Sequence, residues 1–316
     1  MKAVMYHYVR QEEENIPFFI YLHLENFRRQ LDYFTDRYDF ISLEEFMGNI
    51  KEGTPVNSNG LILTFDDGFI DHYRYVYPEL AERNLWAIFY IPTSIYNGTD
   101  LLDVHGIHLL LGAYGGASMM SALEEMITDD MLVDRNIDSF RKLTYHTQDN
   151  EEASRLFRQI LNYYISYEHR HPIIVKLLNR FFGDKNISGR FYMTLEHLKE
   201  MKSAGMVIGS HGNNHLVYSK LTPADQEEDI KGSFDFFEKS IGPLDIKTFC
   251  YPYGIHSCTS DAIGILDRER CLFSFTVENR DVTQDDLKYK SQALPRHACH
   301  LLPYGRSHIG FHPPQD

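Results

Sequence analysis

The chain has 316 residues, 43% of them hydrophobic, enough to bury one large core. Its formal net charge of −14 argues against a nucleic-acid backbone or an anionic membrane surface as partner and leaves neutral or cationic small molecules. Four cysteines without CxxC spacing read as reduced thiols, and no stretch reaches the ~20 apolar residues of a membrane span. The opening MKAVMYHYVR has no apolar leader segment, so the expectation is a soluble, cytoplasmic protein; composition leaves its oligomeric state open.

In chain order, Lys2–Val9 is a short apolar strand. Leu24, Phe27, Leu31 and Phe34 recur at helical spacing, and Ser42 with Glu45 forms a capping box for a short helix. A fully apolar strand at 61–65 precedes a helix carrying His72–Glu82 and a strand over Leu85–Pro92. From about 98 to 190 the alternation breaks. Gly112–Gly116 is small and loose, Asp129–Asp138 and His146–Ala153 are polar, and Ser154–Phe182 is helical. This stretch reads as a helical insertion, a lid or side wall, within a single domain of residues 1–316. The alternation resumes with Thr194 capping a helix that ends at Gly205 and a strand over Met206–Gly209. Thr222 and Pro223 open a further helix, followed by a strand at 246–251, a helix near 260–268 and a strand at 271–277. The fold class is α/β, a barrel of about seven parallel strands, whose chemistry belongs at the C-terminal strand ends.

Residues 61–68 read LILTFDDG. Two adjacent carboxylates, Asp66 and Asp67, emerge where the buried strand ends. Like charges this close raise one pKa unless a cation lies beside them, and a metal ion is the usual remedy. Ser210-His211-Gly212-Asn213-Asn214-His215 ends another strand. An aspartate with two histidines makes a three-ligand set with positions left open for water and substrate, as in catalytic zinc sites. One aspartate then binds metal and the other takes a proton, because a metal brings the pKa of its water toward neutrality. DVHGIH, with Asp103, His105 and His108, is read as structural or substrate-contacting rather than as a second metal site.

TFDDG followed by SHxxxH resembles the polysaccharide deacetylases of the NodB-homology type, carbohydrate esterase family 4. The family's second motif is H-[ST]-x-x-H; here the spacing is kept and Gly212 replaces Ser or Thr. Phe249-Cys250-Tyr251-Pro252-Tyr253-Gly254 matches the end of the third motif, with Cys250 in place of the usual Arg. The resemblance covers about 60–95 and 190–300. It implies a distorted (β/α) barrel and a metal-dependent hydrolase that removes acetyl groups from the nitrogen of an amino sugar. It makes Asp66 the base and Asp67, His211 and His215 the ligands of a divalent metal, zinc by donor type with nickel, cobalt or iron as substitutes. Pro252 and Tyr253 would line the substrate groove, with the Tyr253 amide serving the oxyanion.

The family's general acid normally lies in a C-terminal L-x-H strand, and no clean copy follows residue 270. Met5-Tyr6-His7 resembles the corresponding strand of circularly permuted members, which makes His7 the acid; His297, His300 and His256 are rivals. Leu294-Pro295-Arg296 resembles an LPR element of those members and sets Arg296 to hold Asp66 ionised. The expected substrate is an N-acetylated sugar, a nucleotide-linked or lipid-linked precursor of a surface glycan. A sugar O-acetyl ester, a non-sugar cyclic amide, or carbohydrate binding without catalysis are the competing readings.

Overall fold

The computed structural model describes residues 1–11, 17–132, 151–183 and 191–306. The polar stretches at 133–138 and 146–150 lie outside the described residues. The chain divides into two compact units, one of Met1–Gln11, Tyr21–Thr99 and Arg190–Asp316, the other of Glu12–Ile20 and Asp100–Gly189.

The first unit is built on strands β1 (Lys2–Tyr6), β2 (Val9–Arg10), β3 (Leu22–His23), β4 (Asp39–Phe40), β5 (Gly60–Asp66), β6 (Ile88–Ile91), β7 (Val207–Ser210), β8 (Thr248–Cys250), β9 (Phe273–Phe275) and β10 (His297–Ala298). Seven of them run in the order β10-β1-β5-β6-β7-β8-β9, all parallel, with β4 pairing beside the start of β5. This curled sheet with its helices is the distorted (β/α) barrel that the strand count implied. The segment 294–298 spans its two edges. Leu294 bridges to Phe275 of β9, and His297 pairs with Val4 of β1 three residues later. The expected strand over Lys2–Val9 is in fact two: the chain leaves the sheet after Tyr6, and Val9–Arg10 pairs with β3 instead.

Strand parity decides what lies inside the barrel. Leu61, Leu63 and Phe65 of β5 join the core beneath the helices, with Phe27, Leu31, Leu80 and Leu198. Ile62 joins the inner core with Ile88, Tyr90, Val207, Cys250, Phe273, Phe275 and Leu294. Thr64 and Asp66 share its parity and therefore its side of the strand. The inner space is tight. A side chain at Gly209 would bring its Cβ within 2.6 Å of the Tyr90 ring, whose hydroxyl meets Thr248 at 2.9 Å.

Caps define the helices. Thr194 and Thr222 each complete reciprocal capping boxes, with His197 and Asp225. Ser42 accepts from the Glu45 amide, so only the forward half of its expected box forms. The helix carrying His72–Glu82 starts as a π turn, His72–Val76, before the α-helix Tyr77–Glu82.

In the second unit, Gly112–Gly116 is not loose: it lies within the helix Asp103–Glu124, kinked at Gly115. The glycines there serve close approach. A Cβ at Gly112 would come within 2.6 Å of the Phe19 ring, and one at Gly116 within 2.4 Å of the Ser154 amide. The expected helix over Ser154–Phe182 is two, Glu152–Gln159 continuing into a π turn, and Tyr167–Phe182, separated by extended backbone at Ile165 and Ser166. Ile107, Leu110, Leu123, Phe157, Leu161 and Leu177 form this unit's own core.

Phe89 is fully buried on β6 and stacks on Phe65 with ring centroids 5.0 Å apart. Phe89→Ala should cost about 3–5 kcal/mol of stability, measured as a lowered urea midpoint at unchanged slope.

Candidate active site

Asp66 is the last residue of β5 and is buried beside Arg296. Arg296 donates from both terminal nitrogens to the two carboxylate oxygens at 2.8 Å each. The same guanidinium donates to Thr64 Oγ1 at 2.9 Å, to the Thr276 carbonyl at 3.2 Å and to Cys250 Sγ at 2.9 Å. It also lies against the faces of Tyr90 and Phe275. Burial alone would raise the Asp66 pKa. Arg296 and then His211 outweigh it, and the carboxyl is held below its ordinary value. Burial pushes the Cys250 thiol well up, so this sulfur is a neutral neighbour of the pair.

Asp67 leaves the strand with φ 78° and is followed by Gly68 at 69°. Two successive left-handed residues turn the chain sharply, so adjacent aspartates serve different sites. Asp67 Oδ1 lies 3.5 Å from His211 Nε2 and 3.3 Å from His215 Nε2. His211 Nδ1 is 2.7 Å from the Cys250 carbonyl, which can only accept; the ring hydrogen sits there, and Nε2 presents its lone pair to Asp67. Burial lowers the His211 pKa to about 4, so the ring is neutral near pH 7.

These donors fit a metal ion. Zinc with tetrahedral bonds of about 2.0–2.2 Å holds its donors roughly 3.3–3.5 Å apart, the spacing found around Asp67. Asp66, His211 and Cys250 also bring donor atoms within 4.8 Å of one another. That second set suits a cation poorly, because Arg296 already bridges Asp66 and Cys250.

His7 follows β1 and is partly exposed, its Nε2 3.9 Å from Asp67 Oδ2. Tyr253, in the turn after β8, has φ 59° and its ring meets His215 at 4.9 Å; Pro252 is buried before it. Of the six non-glycine residues with positive φ among the described residues, Asp67, His215 and Tyr253 are in this site. Such conformations cost energy and concentrate where side chains must be aimed. His297 is drawn away from the site, pairing with Asp281 at 2.6 Å. His300 is near enough for the His7 charge to lower its pKa, behind the larger effects of burial and Arg306; burial lowers that of His256. Asp103 pairs with His171 at 2.7 Å and His105 is buried; neither they nor His108 belong to a metal-type cluster among the described residues.

The motifs did not reveal His72. It is fully buried in the π turn after TFDDG, and its Nε2–H donates to the His7 carbonyl at 2.6 Å. A π turn within an α-helical stretch is the local signal, and no residue pattern announces it.

Residues 177–264, which include both histidines and the Pro252–Gly254 turn, match the family model described as polysaccharide deacetylase. No curated protein matches the chain by sequence. Among solved structures, the Streptococcus pyogenes deacetylase PplD, determined with acetate, is 17% identical over 94% of this chain and 91% of its own, at a TM-score of 0.57. IcaB from Ammonifex degensii is 18% identical, covering 94% and 90%, at 0.52. The BpsB deacetylase domain from Bordetella bronchiseptica is 15% identical, covering 94% of each, at 0.51. At these identities the structures establish the fold. Family match and fold together bear out the resemblance to NodB-type polysaccharide deacetylases. No helix among the described residues is long and apolar enough to cross a membrane.

Burial lowers the His72 pKa to about 4, against 6.5 for the exposed ring. The unfolded chain therefore takes up a proton there as pH falls through 6.5, and the folded chain does not until about 4. Stability should be complete above pH 6.5 and drop on the order of 3 kcal/mol over that window from this group. Urea unfolding of the metal-free protein at pH 7 and pH 5 should show about 2 kcal/mol of that drop from this group, and His72→Gln should shrink it.

Proposed function

We propose that this protein is a metal-dependent hydrolase that removes the acetyl group from the nitrogen of an N-acetylated sugar, releasing acetate and a free amino sugar. The observation that carries the reading is the convergence of Asp67, His211 and His215 donor atoms beside an Asp66 carboxylate held ionised by Arg296. Asp67, His211 and His215 would hold a divalent cation, zinc by donor set, which when bound supplies Lewis-acid polarisation of the acetyl carbonyl and lowers the pKa of water.

The chain's own groups supply the rest. Asp66 takes the proton of the attacking water; its pairing with Arg296 keeps it unprotonated and fixes its direction. The Tyr253 amide, set by its left-handed backbone, donates to the oxygen that becomes negative as the carbonyl turns tetrahedral. His7, partly exposed and 3.9 Å from Asp67, protonates the departing nitrogen. Its place just past the end of β1, the strand between β10 and β5, supports the permuted reading, because neighbouring strands of a barrel keep a site intact wherever the chain begins. The acetate in PplD supports acetyl transfer to water as the chemistry of this fold.

Acetate release from N-acetylglucosamine oligosaccharides, with zinc supplied, tests the proposal. Asp66→Asn and His7→Ala should each lower kcat/KM by about 10²–10⁴ while zinc still binds. Full activity in Asp66→Asn would refute the assignment of the base, and full activity in His7→Ala that of the acid.

A further inference from the structure

The histidine loop is held by one acidic side chain that no motif contains. Its backbone can be accounted for amide by amide. His211 N–H donates to the Ile91 carbonyl at 3.1 Å, and Gly212 N–H to Ser210 Oγ at 3.1 Å. Asn213 N–H donates to Asp229 Oδ2 at 2.8 Å and Asn214 N–H to Asp229 Oδ1 at 3.0 Å. Asn214 Nδ2 gives a second bond to Oδ1 at 3.1 Å, and Tyr218 Oη–H a second to Oδ2 at 2.8 Å. Asp229 is 4% exposed, and no lysine, arginine or histidine pairs with it among the described residues. Four donated hydrogens balance its charge, so these bonds are of the stronger, charge-assisted kind.

The placement follows from the helix Pro223–Ile241. Asp229 and Ser233 lie one turn apart on its buried face, and Ser233 Oγ meets Ser210 Oγ at 2.6 Å. From the other side, Thr93 and Ser94 amides donate to the Gly212 and Asn213 carbonyls. The space left for the carboxylate is tight. A Cβ on Gly212 would stand 2.5 Å from Asp229 Oδ2 and 2.7 Å from Tyr218 Oη. Glycine at 212, where the family pattern has Ser or Thr, leaves room for that carboxylate and also takes the left-handed backbone of the loop, φ 73°.

We propose that Asp229 is the positioning residue of the metal site: by holding the Asn213 and Asn214 amides it sets the loop that aims His211 and His215 at Asp67. The proposal rests on the metal reading above. A carboxylate is required because an amide at 229 would turn an N–H₂ group toward hydrogens that need an acceptor.

The test uses full-length, metal-free protein and zinc alone. Asp229→Asn should raise hydrogen exchange at the Asn213 and Asn214 amides at least tenfold and weaken zinc binding about 10–100-fold. Tyr218→Phe removes one bond to the same carboxylate and leaves both loop amides bound. It should lower the Tm yet keep loop exchange and zinc affinity within about threefold of wild type. Should Asp229→Asn fold poorly, Asp229→Ala, which removes the acceptor without adding an amide, should show the same rise in loop exchange and the same loss of zinc affinity. Wild-type exchange at 213 and 214 in Asp229→Asn, or equal loss of zinc affinity in Tyr218→Phe, would overturn the assignment. Wild-type protein that takes up no zinc would refute the metal reading separately, because exchange in the metal-free chain reads the loop directly.

Discussion

The buried pair of Arg296 and Asp66 is the interaction on which the rest of the site depends. Desolvating two charges is costly, and only a bidentate geometry with every remaining donor satisfied offsets it. Here the guanidinium meets both carboxylate oxygens, a threonine hydroxyl, a carbonyl and a thiol, and lies against two aromatic rings. Removing either partner leaves a lone charge inside the barrel, a loss of about 3–5 kcal/mol. The pair also ties β5 to the segment that spans β9 and β1, so the position of the proposed base and the closing of the sheet share one set of bonds.

Two adjacent carboxylates are tolerable because strand parity and one left-handed residue send them to different partners. Asp66 continues the inner row of Ile62 and Thr64 and meets arginine. Asp67, beyond the strand end, meets two imidazoles. The three strained residues Asp67, His215 and Tyr253 come from three different loops at the C-terminal ends of β5, β7 and β8, where a parallel barrel gathers its loops.

Much of this was legible in the chain. TFDDG, the His211–His215 spacing, the Pro252–Gly254 turn and Arg296 were visible as motifs, and they converge in space. The β-α alternation and the helix caps at Thr194 and Thr222 were equally readable, because they are set by local chemistry. The glycines at 112–116 misled for a physical reason. Glycine marks a loop when its freedom is used and a helix contact when its small size is used, and only the presence of Phe19 and Ser154 nearby distinguishes the two. Asp229 and His72 escaped notice because each acts on a backbone group far away in sequence, and such a bond leaves no pattern.

By itself the sequence determined the strand-end carboxylates, the paired histidines and the barrel that brings strand ends together, since periodicity and spacing act over a few residues. Tertiary structure decided which partners each aspartate faces, which of the histidines stands near them, and which buried carboxylate holds the histidine loop. Those outcomes depend on contacts between residues far apart in the chain, such as Asp66 with Arg296 and Asn213 with Asp229, and such contacts exist only once the sheet has curled.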